Sequence, residues 1–550
     1  MNPFNHNYFL GYVNEVTPQY IKIHFPSSML LGKFHFEGVY YAGGNVGNFI
    51  VIEGEEYGFL AQLTELKLSD SEKKELTEKA IEHKESDFHP IGKAELLLSF
   101  SVFNPEKVEK TVSKYPSIGA KVYSCSDEQI GKYVKEFGKK DTDSDNAYAK
   151  LGKLTSNDAD CSISLNSLFG RHCAVVGTTG GGKSWTVSKL IETILNETTN
   201  KVILIDATGE YKNLTDNSVS FGENVSFPHK YLNNSDFCFL FQEHSPNTVS
   251  ALCEAIHTLK LINLGIINDG VKIGKNSLNI NQQVRENVHR FKNCDFDILQ
   301  LSTQLANECV KVGKNNIYEE DNFKLGYTSH LISRVNLFFN NEAMCSALGI
   351  NNQGQQTRDI IEVISDFIKN KNQNQILRIG FERLSYDFSI REIIVDFISS
   401  FLLKESRNNV FKENPLVMFI DEAHQFLNKR INVDDNTTFS LQSIDLIAKE
   451  CRKYGLFLCL ATQMPRDIPI GTLSQMGTFI VHRLINEKDK QSIENAASSA
   501  NKNALSFLPI LGEGEALLIG VDFPMPLLIK IDKPDKPPKS ETPRLIAKTE

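Results

Sequence analysis

The chain has 550 residues, too many for one ordinary domain, and the length predicts two or three. Hydrophobic residues make up 41% and charged residues 23%, a soluble globular balance with enough apolar material for sizeable cores. The formal net charge of -9 excludes a surface that is basic all round, so any nucleic-acid contact must come from a local basic patch such as a pore lining. The 10 cysteines, spread from Cys125 to Cys459, form no CxxC pair and no Cys/His cluster. They read as small buried hydrophobes of a reducing compartment. No basic stretch followed by an apolar run opens the chain, and no apolar run approaches the roughly 18 residues of a membrane span. The expectation is a soluble, cytoplasmic protein with no membrane contact.

In chain order, residues 8–68 read as short strands. YIKIHF (20–25), GVYYAG (38–43) and NFIVIEGEEYGFLAQL (48–63) are rich in β-branched and aromatic residues and are punctuated by Gly and Asn. That spacing predicts a small β-barrel. A charged helical stretch at 69–86 follows, and AELLLSFSV (94–102) and AKVYSC (120–125) complete the barrel, within a first domain of residues 1–136. Residues 137–150, polar and poor in apolar side chains, read as a linker. From there CAVV (173–176), VILID (202–206), FCFLF (237–241), LVMFID (416–421) and LFLCLA (456–461) are continuous apolar runs rather than alternating ones. Such runs predict strands covered on both faces, a mostly parallel sheet in an α/β layer architecture over residues 151–531. Residues 245–370 interrupt the rhythm and read as a helical insertion. It opens on Ser245 and Pro246 as N-cap and first-turn residue, with Val249, Leu252, Ile256 and Leu259 at helical spacing. The Pro/Lys-rich tail 532–550 reads either as a disordered end or as a strap across a neighbouring subunit.

The chemistry starts at Gly177-Thr178-Thr179-Gly180-Gly181-Gly182-Lys183-Ser184, which fits GxxxxGK[ST] at every fixed position. It follows the strand CAVV and opens a helix beginning at Trp185. Backbone N–H groups must converge on phosphate oxygens there, and only glycine lets the chain curl so tightly. The helix N-terminus adds partial positive charge. The pattern predicts that Lys183 reaches the β- and γ-phosphates of ATP and that Ser184 gives an oxygen to Mg²⁺. The second half is Leu416-Val-Met-Phe-Ile-Asp421-Glu422, a buried strand delivering acids at its carboxyl end. Asp421 is expected in the Mg²⁺ shell, and Glu422 is placed to polarise the attacking water.

LFLCLATQ ends in Thr462 and Gln463, and Gln463 reads either as a sensor of the γ-phosphate or as a strand-end cap. Just before it, Ile444, Ile447, Ala448 and Cys451 mark one helix face, with Gly455 as C-cap and Arg452 in the last turn. Arg452 reads either as a partner of the helix dipole or as a cation reaching a neighbour's γ-phosphate. VILIDATGEY supplies Asp206 and Glu210 as further candidates for the nucleotide pocket.

Six motifs, in order, resemble the HerA-like ATPases of the HerA/FtsK branch of RecA-type motors. They are RHCAVVGTTGGGKS, IDATGEY, VMFIDEAHQFL, ECRKYGLFLCLATQMPRDIP, FIVHRLINEKD and LGEGEALLIG. The resemblance implies a RecA-like core behind an N-terminal β-barrel and a homo-hexameric ring with ATP between subunits. It also implies Arg452 as a finger acting in trans and Gln463 as a sensor. It further implies double-stranded DNA as substrate and a separate effector, a nuclease or a sirtuin-like NADase in bacterial anti-phage defence, docking on the barrel. Two departures stand out. The family's acid-Pro-His-Gly-Glu reads Asp206-Ala207-Thr208-Gly209-Glu210 here, and the commoner ATQRP reads ATQMP, so Met464 brings no basic side chain.

Overall fold

The computed structural model describes residues 3–18, 20–32, 34–36, 39–41, 43–73, 88–109, 114–136, 147–155, 159–350, 357–370, 374–427, 429–434, 437–497 and 502–539. The expected helix over 69–86 lies outside them beyond residue 73, as do residues 137–146 of the expected linker and 540–550 of the tail. The chain divides into two compact units. The first comprises residues 1–199, 459–466 and 470–537, and the second residues 200–458, 467–469 and 538–550.

The first unit opens with the barrel. Its strands are β1 (Phe9–Val16), β2 (Ile21–His24), β5 (Phe49–Ile52), β6 (Tyr57–Lys67), β7 (Ile91–Ser101) and β9 (Lys121–Ser124), in the order β2-β1-β9-β5-β6-β7. All neighbours are antiparallel, and β2 pairs with β7 from Ile21–Ala94 to His24–Ile91, which closes the barrel. A strand β8 (Asn104–Glu109) adds to β7, and β3 (Phe34–Phe36) pairs with β4 (Val39–Tyr41) as a separate ribbon. The alternation explains the shape. Ile21 and Ile23 of β2 point in and are buried, while Lys22 and His24, which alternate with them, are only half-buried. With Leu10, Phe25, Ile50, Ile52, Phe59 and Leu63 they form the barrel core. Each such side chain contributes about 1.5–3 kcal/mol by leaving water.

The rest of the first unit is a sheet of β10 (Tyr148–Leu154), β11 (Asp160–Ser164), β12 (Cys173–Val176), the Cys459–Thr462 part of β23 (Leu456–Thr462), β24 (Thr478–Val481), β25 (Glu515–Gly520) and β26 (Phe523–Ile531). Strand β12 runs parallel to β23 and β24, and the order β24-β25-β26-β10-β11 continues antiparallel. Tyr148–Lys150, given to the linker by composition, open β10. All four residues of β12 are buried, as the continuous run requires.

The second unit holds four parallel strands in the order β20-β13-β19-β14. They are β13 (Lys201–Asp206), β14 (Ser218–Ser220), β19 (Ile376–Gly380) and β20 (Leu416–Ile420). Three ribbons accompany them: β15 (Val225–Ser226) with β18 (Arg358–Asp359), β16 (Val310–Val312) with β17 (Tyr318–Glu320), and β21 (Lys429–Asn432) with β22 (Thr438–Leu441). Between β15 and β19 lie the helices Pro246–Asn263, Ser277–Asn287, Leu301–Asn307, Asn322–Phe339, Glu342–Ala347 and Ile360–Lys369. Ser245 is the N-cap of the first and Pro246 its first residue, with Val249, Leu252, Ile256 and Leu259 buried.

One expected strand is a helix. Phe237–Leu240 of FCFLF lie in the helix Asn234–Leu240 and Phe241 is its C-cap; the helix opens on a capping box, in which Asn233 and Asp236 each accept from the other's backbone N–H. An apolar run of five fits a buried helix as well as a buried strand. None of the ten cysteines is in a disulfide, nine are buried and Cys253 is half-buried. Among the described residues no helix is long and apolar enough to cross a membrane.

Residues 532–537 of the tail belong to the first unit. Lys533 Nζ sits 5.7 Å from the ring centroid of Trp185, and the Asp535 amide donates to Glu192 Oε2 at 2.7 Å. Both contacts fall on the helix Lys183–Glu197 of its own chain.

Candidate active site

In the first unit, β12 ends at Val176 and the chain curls through the glycine loop into the helix Lys183–Glu197. Gly180 and Gly182 adopt left-handed φ angles of 77° and 106°, which side chains disfavour. Gly177 is required for space, because a Cβ there would stand 2.6 Å from the His482 Cβ. The loop is pinned from outside by backbone bonds. Gly177 N donates to Thr462 O at 3.3 Å, and Thr178 donates to Arg483 O through its amide at 3.2 Å and its hydroxyl at 3.1 Å. Gly514 N donates to Gly181 O at 3.3 Å.

Lys183 is buried at the first position of the helix, and Ser184 and Trp185 are half-buried beside it. The helix cap is a glycine, so no side chain competes for its first amides, the usual arrangement at an anion site. Thr179 donates its hydroxyl to Gln463 Oε1 at 2.7 Å, which brings the expected sensor onto the loop.

Sequence reasoning passed over His482, which is fully buried at the end of β24. Its Nε2 lies 2.8 Å from Thr186 Oγ1, and its Nδ1 lies 2.8 Å from the Glu515 carbonyl oxygen. Burial pushes the imidazole down to about 4, with the Lys183 ammonium acting in the same direction, so the ring is neutral at ordinary pH. A histidine inside the apolar run FIVHRL was the available signal.

In the second unit, β13 and β20 run side by side with Ile205 opposite Ile420, so their acids emerge at the same edge. Asp206 is fully buried. Its carboxylate accepts from the amides of Thr208 (3.3 Å), Gly209 (2.7 Å) and Tyr211 (3.1 Å) and from Arg378 Nε (2.7 Å). Arg378, itself fully buried, also donates to Ser218 Oγ, Ser220 Oγ and Glu382 Oε2. Asp206 therefore holds the ATGEY loop in place. Glu210 follows in that loop, half-buried, with a buried Oε2 that has no hydrogen-bond partner among the described residues. Arg378 was also missed, although a charge inside the strand ILRIG marks it.

Asp421 and Glu422 follow β20 directly and are both buried. The Asp421 amide donates to Ile205 O at 3.0 Å, tying the acid pair to β13. Glu422 has φ 47° and ψ 46°, a left-handed conformation that costs a side-chain residue about 1–3 kcal/mol. Its carboxylate Oε2 stands 3.3 Å from His424 Nδ1. Arg452 lies in the short helix Cys451–Tyr454, which Gly455 ends at φ 79°. Its side chain is exposed, and among the described residues its guanidinium makes no hydrogen bond or ion pair.

The glycine cradle is shaped for phosphates. The Ser184 hydroxyl and Asp421 carboxylate are hard oxygen donors of the kind Mg²⁺ takes beside phosphate oxygens and water.

Residues 149–450 match the family described as Helicase HerA, central domain, and residues 408–532 match Helicase HerA-like C-terminal. A probable helicase of Methanocaldococcus jannaschii is 25% identical over 82% of this chain and 78% of its own length. A DNA double-strand break repair helicase HerA of Sulfolobus acidocaldarius is 26% identical over 70% and 69%. Among solved structures, the bacterial conjugative coupling protein TrwB aligns with 74% of this chain and 94% of its own at 14% identity and a TM-score of 0.45. A family match over more than half of the chain, joined to a complete glycine loop and a buried acid pair, leads to one conclusion: the chain belongs to the HerA helicase family and is a P-loop ATPase.

Proposed function

We propose that this chain is the subunit of a homo-hexameric motor that hydrolyses ATP to move double-stranded DNA. In this reading it works with a separate effector polypeptide, a nuclease or a sirtuin-like NADase, in cytoplasmic anti-phage defence. The observation that carries the reading is the curled loop Gly177–Ser184 with Lys183 buried at the start of its helix, in a chain of the HerA family. Several relatives bear the name DNA double-strand break repair helicase, which supports DNA as the substrate. The barrel, residues 1–136, is assigned to effector and ring contacts. Residues 151–531, with the insertion 245–370, form the ATPase domain, and 532–550 the tail.

Each residue then has a task. The loop amides of Thr178 to Gly182 and the Lys183 ammonium bind the phosphates of ATP, with Trp185 beside them. Ser184 and Asp421 are each assigned to Mg²⁺ and would give it an oxygen, and its charge would offset that of the phosphates. Glu422 orients the attacking water and accepts its proton. Gln463, held by Thr179, reads the γ-phosphate. Asp206 fixes the loop that presents Glu210 to the nucleotide. Arg452, exposed and without a hydrogen bond or ion pair among the described residues, stabilises charge on the neighbour's ATP.

The net charge of -9 favours a second reading, an ATP-dependent ring that assembles and gates its effector without moving along DNA. One experiment separates the two and tests the ring. Purified Arg452→Ala and Lys183→Ala chains are assayed for ATPase alone and mixed, with and without linear duplex DNA. The motor reading expects each variant to be inactive, the mixture to regain turnover, and duplex to stimulate it. Near-normal turnover of Arg452→Ala ends the trans assignment. A mixture active but indifferent to DNA supports the gating ring.

A further inference from the structure

His482, which directly follows β24, stands at the centre of the contacts that shape the glycine loop. His482 packs against three loop glycines. A Cβ on Gly177, Gly181 or Gly182 would stand 2.6, 3.4 or 3.3 Å from a His482 atom. A carbonyl oxygen only accepts, so the 2.8 Å contact with Glu515 O places the proton on Nδ1. Nε2 then carries the lone pair and accepts from the Thr186 hydroxyl. Thr186 lies in the first turn of the helix Lys183–Glu197, three residues beyond Lys183. On the far side, Gly514 N bonds Gly181 O, and a Cβ on Gly182 would stand 3.0 Å from the Gly514 Cα. The imidazole thus bridges the phosphate loop and the Gly512–Glu515 turn that enters β25.

We propose that His482 is a positioning residue for nucleotide binding: through Thr186 and Glu515 its ring locks the phosphate loop to the Gly512–Glu515 turn, so that the loop amides are set before ATP arrives. The inference rests on the reading of Gly177–Ser184 as the ATP site. A pre-set cradle lowers the ordering cost of binding, so its loss appears in nucleotide affinity and KM more than in kcat. A merely structural histidine would instead change the amount of folded, active protein and leave KM alone.

The test uses the full chain and Thr186, where Val keeps the shape without the hydroxyl and Ser keeps the hydroxyl. Binding of ATP with Mg²⁺ is measured by calorimetry, KM and kcat by steady-state ATPase assay, and folding by thermal melt. Thr186→Val is expected to bind ATP about five- to tenfold more weakly, as for loss of one buried hydrogen bond, with a matching rise in KM. Thr186→Ser should stay within about twofold of wild type, which retention of that one bond requires. In a His482→Ala background, Thr186→Val should add no further loss, because its partner is already gone. Wild-type affinity in Thr186→Val, or the same loss with and without His482, overturns the proposal. Lys183→Ala is the separate control: wild-type ATP affinity there would instead remove the reading of the loop as the ATP site.

Discussion

Strands β13 and β20 lie side by side, and each leads into a buried acid, yet the two acids are held in different ways. Asp206 has its oxygens taken by three loop amides and the Arg378 guanidinium. That is a closed set, and it shapes a loop. The Asp421–Glu422 pair is anchored through the Asp421 backbone, and Glu422 is held in a left-handed conformation that a side-chain residue avoids. Backbone strain of this kind persists where surrounding structure imposes it, and it clusters at sites that do chemistry. An acid at a strand end is thus a location, and how the backbone around it is held tells the two apart.

The largest effect that tests this contrast is on turnover. Glu422→Gln removes the proton acceptor and keeps the shape, so ATP hydrolysis should fall by about 10²–10⁴-fold while ATP binding survives. A steady-state ATPase assay beside calorimetric binding checks both, and wild-type turnover would put Glu422 with the structural acids. Asp206→Ala should do the reverse. It leaves Arg378 buried without its main counter-charge, at a cost of about 3–5 kcal/mol in unfolding free energy by denaturant titration. Turnover per folded molecule should change far less than in Glu422→Gln. A variant of normal stability that no longer binds ATP would instead make Asp206 a direct nucleotide contact. The smallest effect is the most telling for strain. Glu422→Gly relieves the left-handed backbone and should gain about 1 kcal/mol of stability while hydrolysis stays lost. A less stable Glu422→Gly would mean that the conformation is not strained here.

What was legible in the sequence follows from how local the constraint is. The phosphate loop reads directly because left-handed φ at Gly180 and Gly182, and lack of room at Gly177, are demands that only glycine meets. The barrel reads from the alternation in β2 and from short turn-punctuated runs. FCFLF misled because five apolar residues carry no period, and the decisive mark was upstream, in the Asn233–Asp236 capping box. Arg378 and His482 were invisible for another reason. Their partners stand 172 residues away at Asp206, and 296 and 33 residues away at Thr186 and Glu515, so only the fold brings them together. Thr179 and Gln463 meet across 284 residues in the same way, though a strand-end amide gave a hint.

The strap of the tail over the helix Lys183–Glu197 has a practical consequence. The 550 residues include a single tryptophan, and it is Trp185, next to Ser184 and under the ammonium of Lys533. The protein's intrinsic indole emission therefore comes from one place, the start of the phosphate-loop helix. A positive charge above the ring shifts and quenches that emission, so any movement of the tail from the helix, or any charge arriving at the loop, changes colour and intensity together. Nucleotide arrival could be followed in real time by stopped-flow on the unlabelled protein, with Lys533→Ala separating the signal of the tail from that of the phosphates.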